Sequence, residues 1–234
     1  MHHLMRASPA GYSSSSGTVT FAGPVYTLTS GSKTLNLNGN FTGTGIVSGV
    51  ISDYDADSTN RVQKDSNGTW ALSGDNTFKG EVLVKNGSLI LRHSNALGTG
   101  PKLIKMGSNG DGEPRYRLDG SGGDLTIPAD LTWRTSEQTE GAIINEAGRN
   151  TVLGDIQLVS GDGGSTFTAN AGKLTLAGAI YAPETSRAIY LWGDAEGEIS
   201  GVVSNGLTVN LTVRQTKGSG LWLLSGPNEH TGLT

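Results

Sequence analysis

The 234-residue sequence contains no cysteine. Disulfides, thiolate metal sites and thiol catalysis are therefore excluded. Charged residues make up only 16% of the chain and aromatics 6%, with a formal net charge of −4. No basic cluster is present, so the electrostatic footprint of nucleic-acid binding is missing. No apolar run approaches the ~18 residues of a membrane-spanning helix, and the chain is not expected to be membrane-embedded. Apolar residues recur nowhere at a sustained 3.6-residue spacing, which removes amphipathic helices from consideration. Outside the first three residues the only histidines are His93 and His230, one in each half; His230 takes the place of Phe78 in an internal repeat, which speaks against a nucleophile triad, and two isolated histidines make a weak metal site. Residues 1–16 lack the apolar stretch of a secretion signal and read as a flexible leader, a cloning remnant or the start of a fragment.

What is abundant is glycine, 36 residues in all, together with Thr, Ser, Leu, Val and Asn. Apolar residues alternate at period two in Val19/Phe21, Leu35/Leu37, Val82/Val84, Leu89/Leu91, Leu125/Ile127, Ile156/Leu158, Leu174/Leu176 and Leu207 through Val213. That spacing places them on one face of a strand. Asn38-Gly39, Asn86-Gly87, Gly161 to Gly164 and Asn205-Gly206 punctuate these strands with turns. Asn-Gly between alternating segments also suits hairpins, which keeps a β-sandwich or jelly roll as the alternative fold.

A repeat favours a solenoid instead. Gly68-Thr-Trp70-Ala-Leu72-Ser73-Gly74-Asp-Asn76 returns as Gly220-Leu-Trp222-Leu-Leu224-Ser225-Gly226-Pro-Asn228. At the same offset of 152, Ser48 to Ser52 falls on Ser200 to Ser204, so a unit of about 33 residues, 48–80 and 200–232, is duplicated. Duplication with short alternating strands, varied turns and no helix predicts a single elongated right-handed parallel β-helix over 17–234. A shorter offset links Lys33–Phe41 to Lys173–Ile180 and implies an insertion around Thr185 to Glu196 in the later copy, expected as a loop protruding from the stack.

The motif Gly-x-Trp-x-Leu-Ser-Gly-x-Asn, followed in its first copy by Val82 to Leu91 and Asn95-Ala96-Leu97-Gly98, resembles the autotransporter-associated β-strand repeat of bacterial passenger regions. The resemblance covers about 50–100 well and 200–234 in part. It implies an exported β-helix displayed extracellularly or on the bacterial cell surface as stalk or adhesin, with no catalytic residues in the repeat. Within the motif, Trp70 and Trp222 are expected to pack, and Asn76 and Asn228 to satisfy turn backbone, rather than to hold ligand.

Candidate sites therefore lie in what is not repeated. Asp53, Asp55 and Asp57 alternate in an oxygen-rich loop and are a candidate for Ca²⁺, a solvated loop being the other reading. Arg187, Tyr190, Trp192 and Asp194 combine aromatics with charges in the apparent insertion, either as a recognition surface for a glycan or host surface or as a strand and turn packed on the stack. A glycan-active enzyme of β-helix type would need two carboxylates converging from neighbouring turns; Asp119, Asp124, Asp130, Glu137 and Glu140 are the scattered acids available. Finally, Val19 and Phe21 near one end and Leu221 and Leu223 near the other are candidates for strand addition between subunits, giving a homo-oligomer or a head-to-tail filament. The expected function is a non-enzymatic structural or adhesive surface protein, with a β-helix lyase, hydrolase or carbohydrate-binding module as the alternative.

Overall fold

The computed structural model describes residues 17–107, 113–136, 141–160, 164–205 and 211–231. The expected leader, together with Glu137, Glu140, Leu207 and Val209, lies outside the described residues. The chain winds through about eight turns of a parallel β-solenoid. Every strand pair is parallel among the described residues, so the hairpin-built sandwich is excluded, and Asn38-Gly39 and Asn86-Gly87 turn corners between sheets.

Three sheets run along the stack. The largest has nine strands, β1 (Val19–Phe21), β3 (Thr44–Val47), β5 (Thr69–Leu72), β7 (Ser88–Leu91), β9 (Arg115–Asp119), β12 (Ile143–Ala147), β15 (Gly164–Ala169), β18 (Arg187–Trp192) and β21 (Leu211–Lys217). A second has eight, β2 (Thr34–Leu37), β4 (Arg61–Lys64), β6 (Val82–Val84), β8 (Lys102–Met106), β11 (Leu131–Ser136), β14 (Ile156–Ser160), β17 (Ile180–Tyr181) and β20 (Val203–Ser204). The third has five, β10 (Thr126–Ile127), β13 (Arg149–Val152), β16 (Lys173–Leu176), β19 (Glu196–Ile199) and β22 (Trp222–Leu224), and enters only in the second half. In the first half its place in the turn is taken by short segments joined by the isolated bridge Val25↔Ile51 and by Thr77 N–H donating to Ile51 O.

Alternation along each strand sends one set of side chains inward, and parallel register stacks them into columns. One column of the eight-stranded sheet reads Leu35, Val62, Val82, Ile104, Trp133, Ile156, Ile180, Val203. All but Leu35 are buried, and each such side chain contributes roughly 1.5–3 kcal/mol on leaving water. Two lysines are also internal. Lys64 Nζ donates to Asp65 O, Ser66 O and Asn86 O at 2.8, 2.7 and 3.0 Å, capping a corner where Ser66 holds φ 66°. Lys102 Nζ donates to the Phe78 and Leu97 carbonyls and sits 4.4 Å from the Phe78 ring centroid. Burial pushes both ammonium groups down to about 8.

Both copies of the tryptophan motif make the same local contacts. Trp70 lies in register over Gly45, and Trp222 over Gly197. A Cβ on Gly45 would fall 2.6 Å from the Trp70 ring, and one on Gly197 would likewise clash with Trp222. Glycine is thus the complement of the indole one turn away. Trp70 Nε1 donates to Asn38 O at 3.2 Å and Trp222 Nε1 to Trp192 O at 3.0 Å. The copies nevertheless occupy different sheets. Six register steps lead from Trp70 through Leu89, Tyr116, Ile143, Phe167 and Leu191 to Gln215, not to Trp222, which lies on the five-stranded sheet.

The segment expected to protrude at 185–196 does not form a loop along its length. Its 187–192 portion is β18, paired on both sides by β15 and β21. The period-two pattern decides this: Ile189 and Leu191 are buried inward, whereas Tyr190 and Trp192 face out.

Candidate functional site

The outward face of the nine-stranded sheet carries a groove of about 400 Å³ between β9 and β21. Its geometry follows from one outward column, Arg117, Ile144, Thr168, Trp192, Lys217, in register across β9, β12, β15, β18 and β21. Long side chains at both ends of the column and short ones in the middle make a notch. Ile144 and Thr168 form the floor, Arg115 and Arg117 one wall, and Trp192 and Lys217 the other, with Glu146, Asn170 and Asp194 along the rim. Strands ~4.8 Å apart place the Arg117 and Trp192 backbones about 14 Å from each other over three steps.

The polar groups are held in place. Arg117 Nε and Nη2 reach Glu146 Oε1 at 2.8 and 2.7 Å. Asn170 Nδ2 lies 3.5 Å from Glu146 Oε2. Arg115 pairs with Glu113. Lys217 Nζ stands 4.7 Å from the Trp192 ring centroid, a cation–π contact. Asp194 Oδ1 accepts from Ser219 N at 2.8 Å and from Ser219 Oγ at 3.1 Å. These two bonds hold the exposed Asp194 carboxyl below the usual carboxylate range. The groove thus offers an aromatic ring, cationic donors and carboxylate acceptors, with charges of both signs in near balance.

Of the four residues singled out on the 185–196 segment, Trp192 and Asp194 line this groove. Tyr190 lies on the same outer face, in register with Thr166 and Arg214, beyond the groove lining. Alternation puts Arg187 on the opposite face of β18. Arg115 and Arg117, Glu146, Asn170 and Lys217 were not legible from local sequence, since they come from four different turns of the stack. The signal that finds them is the register spacing of 27, 24, 24 and 25 residues from Arg117 to Lys217.

The acidic loop has another arrangement. Asp53 Oδ1 accepts from Asn60 N at 2.6 Å and Oδ2 from Lys79 N at 3.0 Å, so this carboxylate ties two turns together. Asp55 accepts from Ser30 Oγ and from Ser58 Oγ, bonds that lower its carboxyl from its ordinary value. Asp57 is exposed. No group of three or more His, Asp or Glu side chains converges as a metal site among the described residues.

The remaining acids are also dispersed: Asp119 pairs with Arg92 at 2.8 Å, and Asp124 Oδ1 accepts from Arg149 N at 2.7 Å. Glu146 and Asp194, from β12 and the turn after β18, share the groove. Two register steps separate them, roughly 10 Å of backbone.

Among the described residues, β1 pairs with β3 and β22 with β19. Phe21 packs inward, its ring stacked 5.8 Å from that of Trp70 across the space left by Gly45. Val19 is half-buried in register with Gly45. Leu221 and Leu223 flank buried Trp222 and point outward, 71% and 53% exposed.

Against known proteins, the chain is 31% identical over 117 residues to the adhesin BmaC autotransporter of Brucella suis biovar 1 (strain 1330). The match covers 50% of this chain and 3% of that protein, so the chain spans a small fraction of the relative's length. No family model matches the chain, and no solved structure matches it.

Proposed function

We propose that this chain is a non-enzymatic, adhesive segment of a β-solenoid displayed extracellularly or on a bacterial surface. The observation that carries the reading is the likeness to an autotransporter adhesin over half of a chain that folds as a parallel solenoid. The groove supports it, because it offers contact chemistry: an indole, cationic donors and carboxylate acceptors. Ser219 holds the Asp194 carboxyl below its ordinary range, against the proton-donor role that a hydrolase of this architecture needs from one of its two carboxyl groups.

The test is attachment. Beads coated with the purified protein are expected to bind cultured epithelial cells above beads coated with an unrelated β-solenoid, and the protein is expected to release no reducing ends from plant or bacterial polysaccharides. Absence of attachment, or catalytic release of sugar, overturns the proposal.

A second reading rests on the exposed Leu221 and Leu223, which flank the buried Trp222 of β22. We infer that subunits add strand to strand there, with β1 of one copy meeting β22 of the next, to give a homo-oligomer or filament. Electron microscopy and sedimentation at neutral pH are expected to show end-to-end assemblies, and Leu221→Lys/Leu223→Lys to disperse them. A monodisperse monomer at high concentration removes this reading.

A further inference from the structure

We propose that the groove between Arg117 and Trp192 is a binding site for a neutral saccharide. The inference deepens the adhesive reading and rests on it only for its biological purpose; the binding itself is a property of the isolated chain.

Four observations carry it. First, the volume of about 400 Å³ falls in the range of small-ligand sites, roughly 300–1,000 Å³. Second, the notch is built by residue size. Ile144 and Thr168 interrupt an outward column whose other members, Arg117, Trp192 and Lys217, are long, so the depression belongs to the sheet rather than to a loop. Third, Trp192 is the one tryptophan that faces outward: Trp70 and Trp133 are fully buried and Trp222 is 8% exposed. An indole at the wall of a polar notch supplies a flat apolar surface for the C–H face of a sugar ring.

Fourth, the polar groups suit hydroxyls. A sugar hydroxyl both donates and accepts, and the groove sets cationic donors (Arg117, Lys217) beside acceptors (Glu146, Asp194), with Asn170 able to do either. The charges also select. Arg117 is matched by Glu146 and Arg115 by Glu113, leaving Lys217 against Asp194. A polyanion would meet Glu146 and Asp194 on the rim, and a polycation would meet Arg117 and Lys217; a neutral ligand pays neither repulsion.

The positions are preorganised. Asp194 is fixed by Ser219 and Glu146 by Arg117, and the Trp192 carbonyl is anchored by the Trp222 indole. Little side-chain freedom therefore remains to be lost on binding.

The experiment is a titration of the full chain, followed by tryptophan fluorescence and calorimetry, with lactose, maltose and cellobiose as neutral probes and a heparin fragment as the polyanion. At least one neutral disaccharide is expected to bind saturably and to shift the emission. Trp192→Ala is expected to weaken that binding by about tenfold or more, and Trp192→Phe to restore part of it. Asn170→Ala, at an exposed rim position, is expected to weaken binding severalfold with an unchanged melting temperature. Failure of all three neutral sugars to bind, binding that ignores Trp192 and Asn170, or binding of heparin alone overturns the inference. Sugar binding without cell attachment would leave the groove intact and sink the adhesive reading; attachment by a chain that binds none of the neutral sugars would do the reverse.

Discussion

The pairing of Gly45 with Trp70 can be broken from either side, and the two breaks should not add. Gly45→Ala places a methyl group where the Trp70 ring atoms lie 2.6 Å away. The indole cannot retreat, because Phe21 stacks on it and Phe41 meets it edge-on, both at centroid distances of 5.8 Å. Overpacking of this kind costs about 1–3 kcal/mol. Trp70→Ala instead empties a fully buried site, losing the Nε1 bond to Asn38 O as well, for about 3–5 kcal/mol. In the double variant the new methyl at 45 meets space rather than a ring. The Gly45→Ala step should then cost close to nothing or be slightly favourable, giving a coupling of about 1–3 kcal/mol. Urea unfolding of the four proteins, fitted with a common m-value, measures it. Additive costs within about 0.5 kcal/mol would refute the claim that glycine is retained here to admit the indole.

Lys64→Met removes the donor to three carbonyls and is expected to destabilise by about 2–4 kcal/mol in urea unfolding, the orphaned acceptors outweighing the relief of a buried ammonium; unchanged stability would show that water replaces Nζ freely. Lys64 and Lys102 are lowered to about 8 from 10.5, so between those pH values the unfolded chain binds more protons than the native one, and stability from these groups rises with pH. Tyr116, raised by burial above its ordinary value of 10.0, keeps a proton that the unfolded chain loses, so its contribution falls above about pH 10. The melting temperature is therefore expected to climb from pH 8 and turn over near pH 10, whereas a steady fall from pH 8 would contradict the internal placement of the lysines. Because Asp53 and Asp55 already accept from Asn60, Lys79, Ser30 and Ser58, a chelator should leave the melting temperature within about 1 °C, and a calcium-dependent rise of several degrees would return a cation to this loop.

The strands were legible because period-two alternation is local: Val82/Val84, Leu89/Leu91 and Leu174/Leu176 can be read without knowing what they pair with. The length of a turn is not local. Register steps from Trp70 to Leu89 and from Leu89 to Tyr116 are 19 and 27 residues, so no fixed period marks the rungs. The 152-residue offset was visible because two copies of one corner geometry, glycine under indole, need the same residues wherever they occur. It misled at 185–196 because it matches β3 and β5 of the nine-stranded sheet to β19 and β22 of the five-stranded one. The shorter offset matches β2 to β16, so between the two matches β18 has no counterpart, and a whole strand looks like an insertion. Trp192 and Asp194 were found because an aromatic among charges stands out in a chain with 6% aromatics; Arg117 and Lys217 were not, since one exposed cation on a strand carries no local signal.

Each strand of this stack divides its side chains by parity, and the two sets answer to different constraints. The inward set must fill a shaft whose cross-section changes when β10 brings in a third sheet, which is why Gly45 and Gly197 serve indoles on different faces. The outward set is free of that requirement. In the column Arg117, Ile144, Thr168, Trp192, Lys217, neighbours about 4.8 Å apart along the stack need only avoid one another. A notch therefore costs the fold little to make, since shortening two consecutive outward residues deepens the surface without opening the core. Specificity on such a scaffold is written at turn-length intervals along the sequence, and chemistry on it is recognisable only once register has brought those residues together.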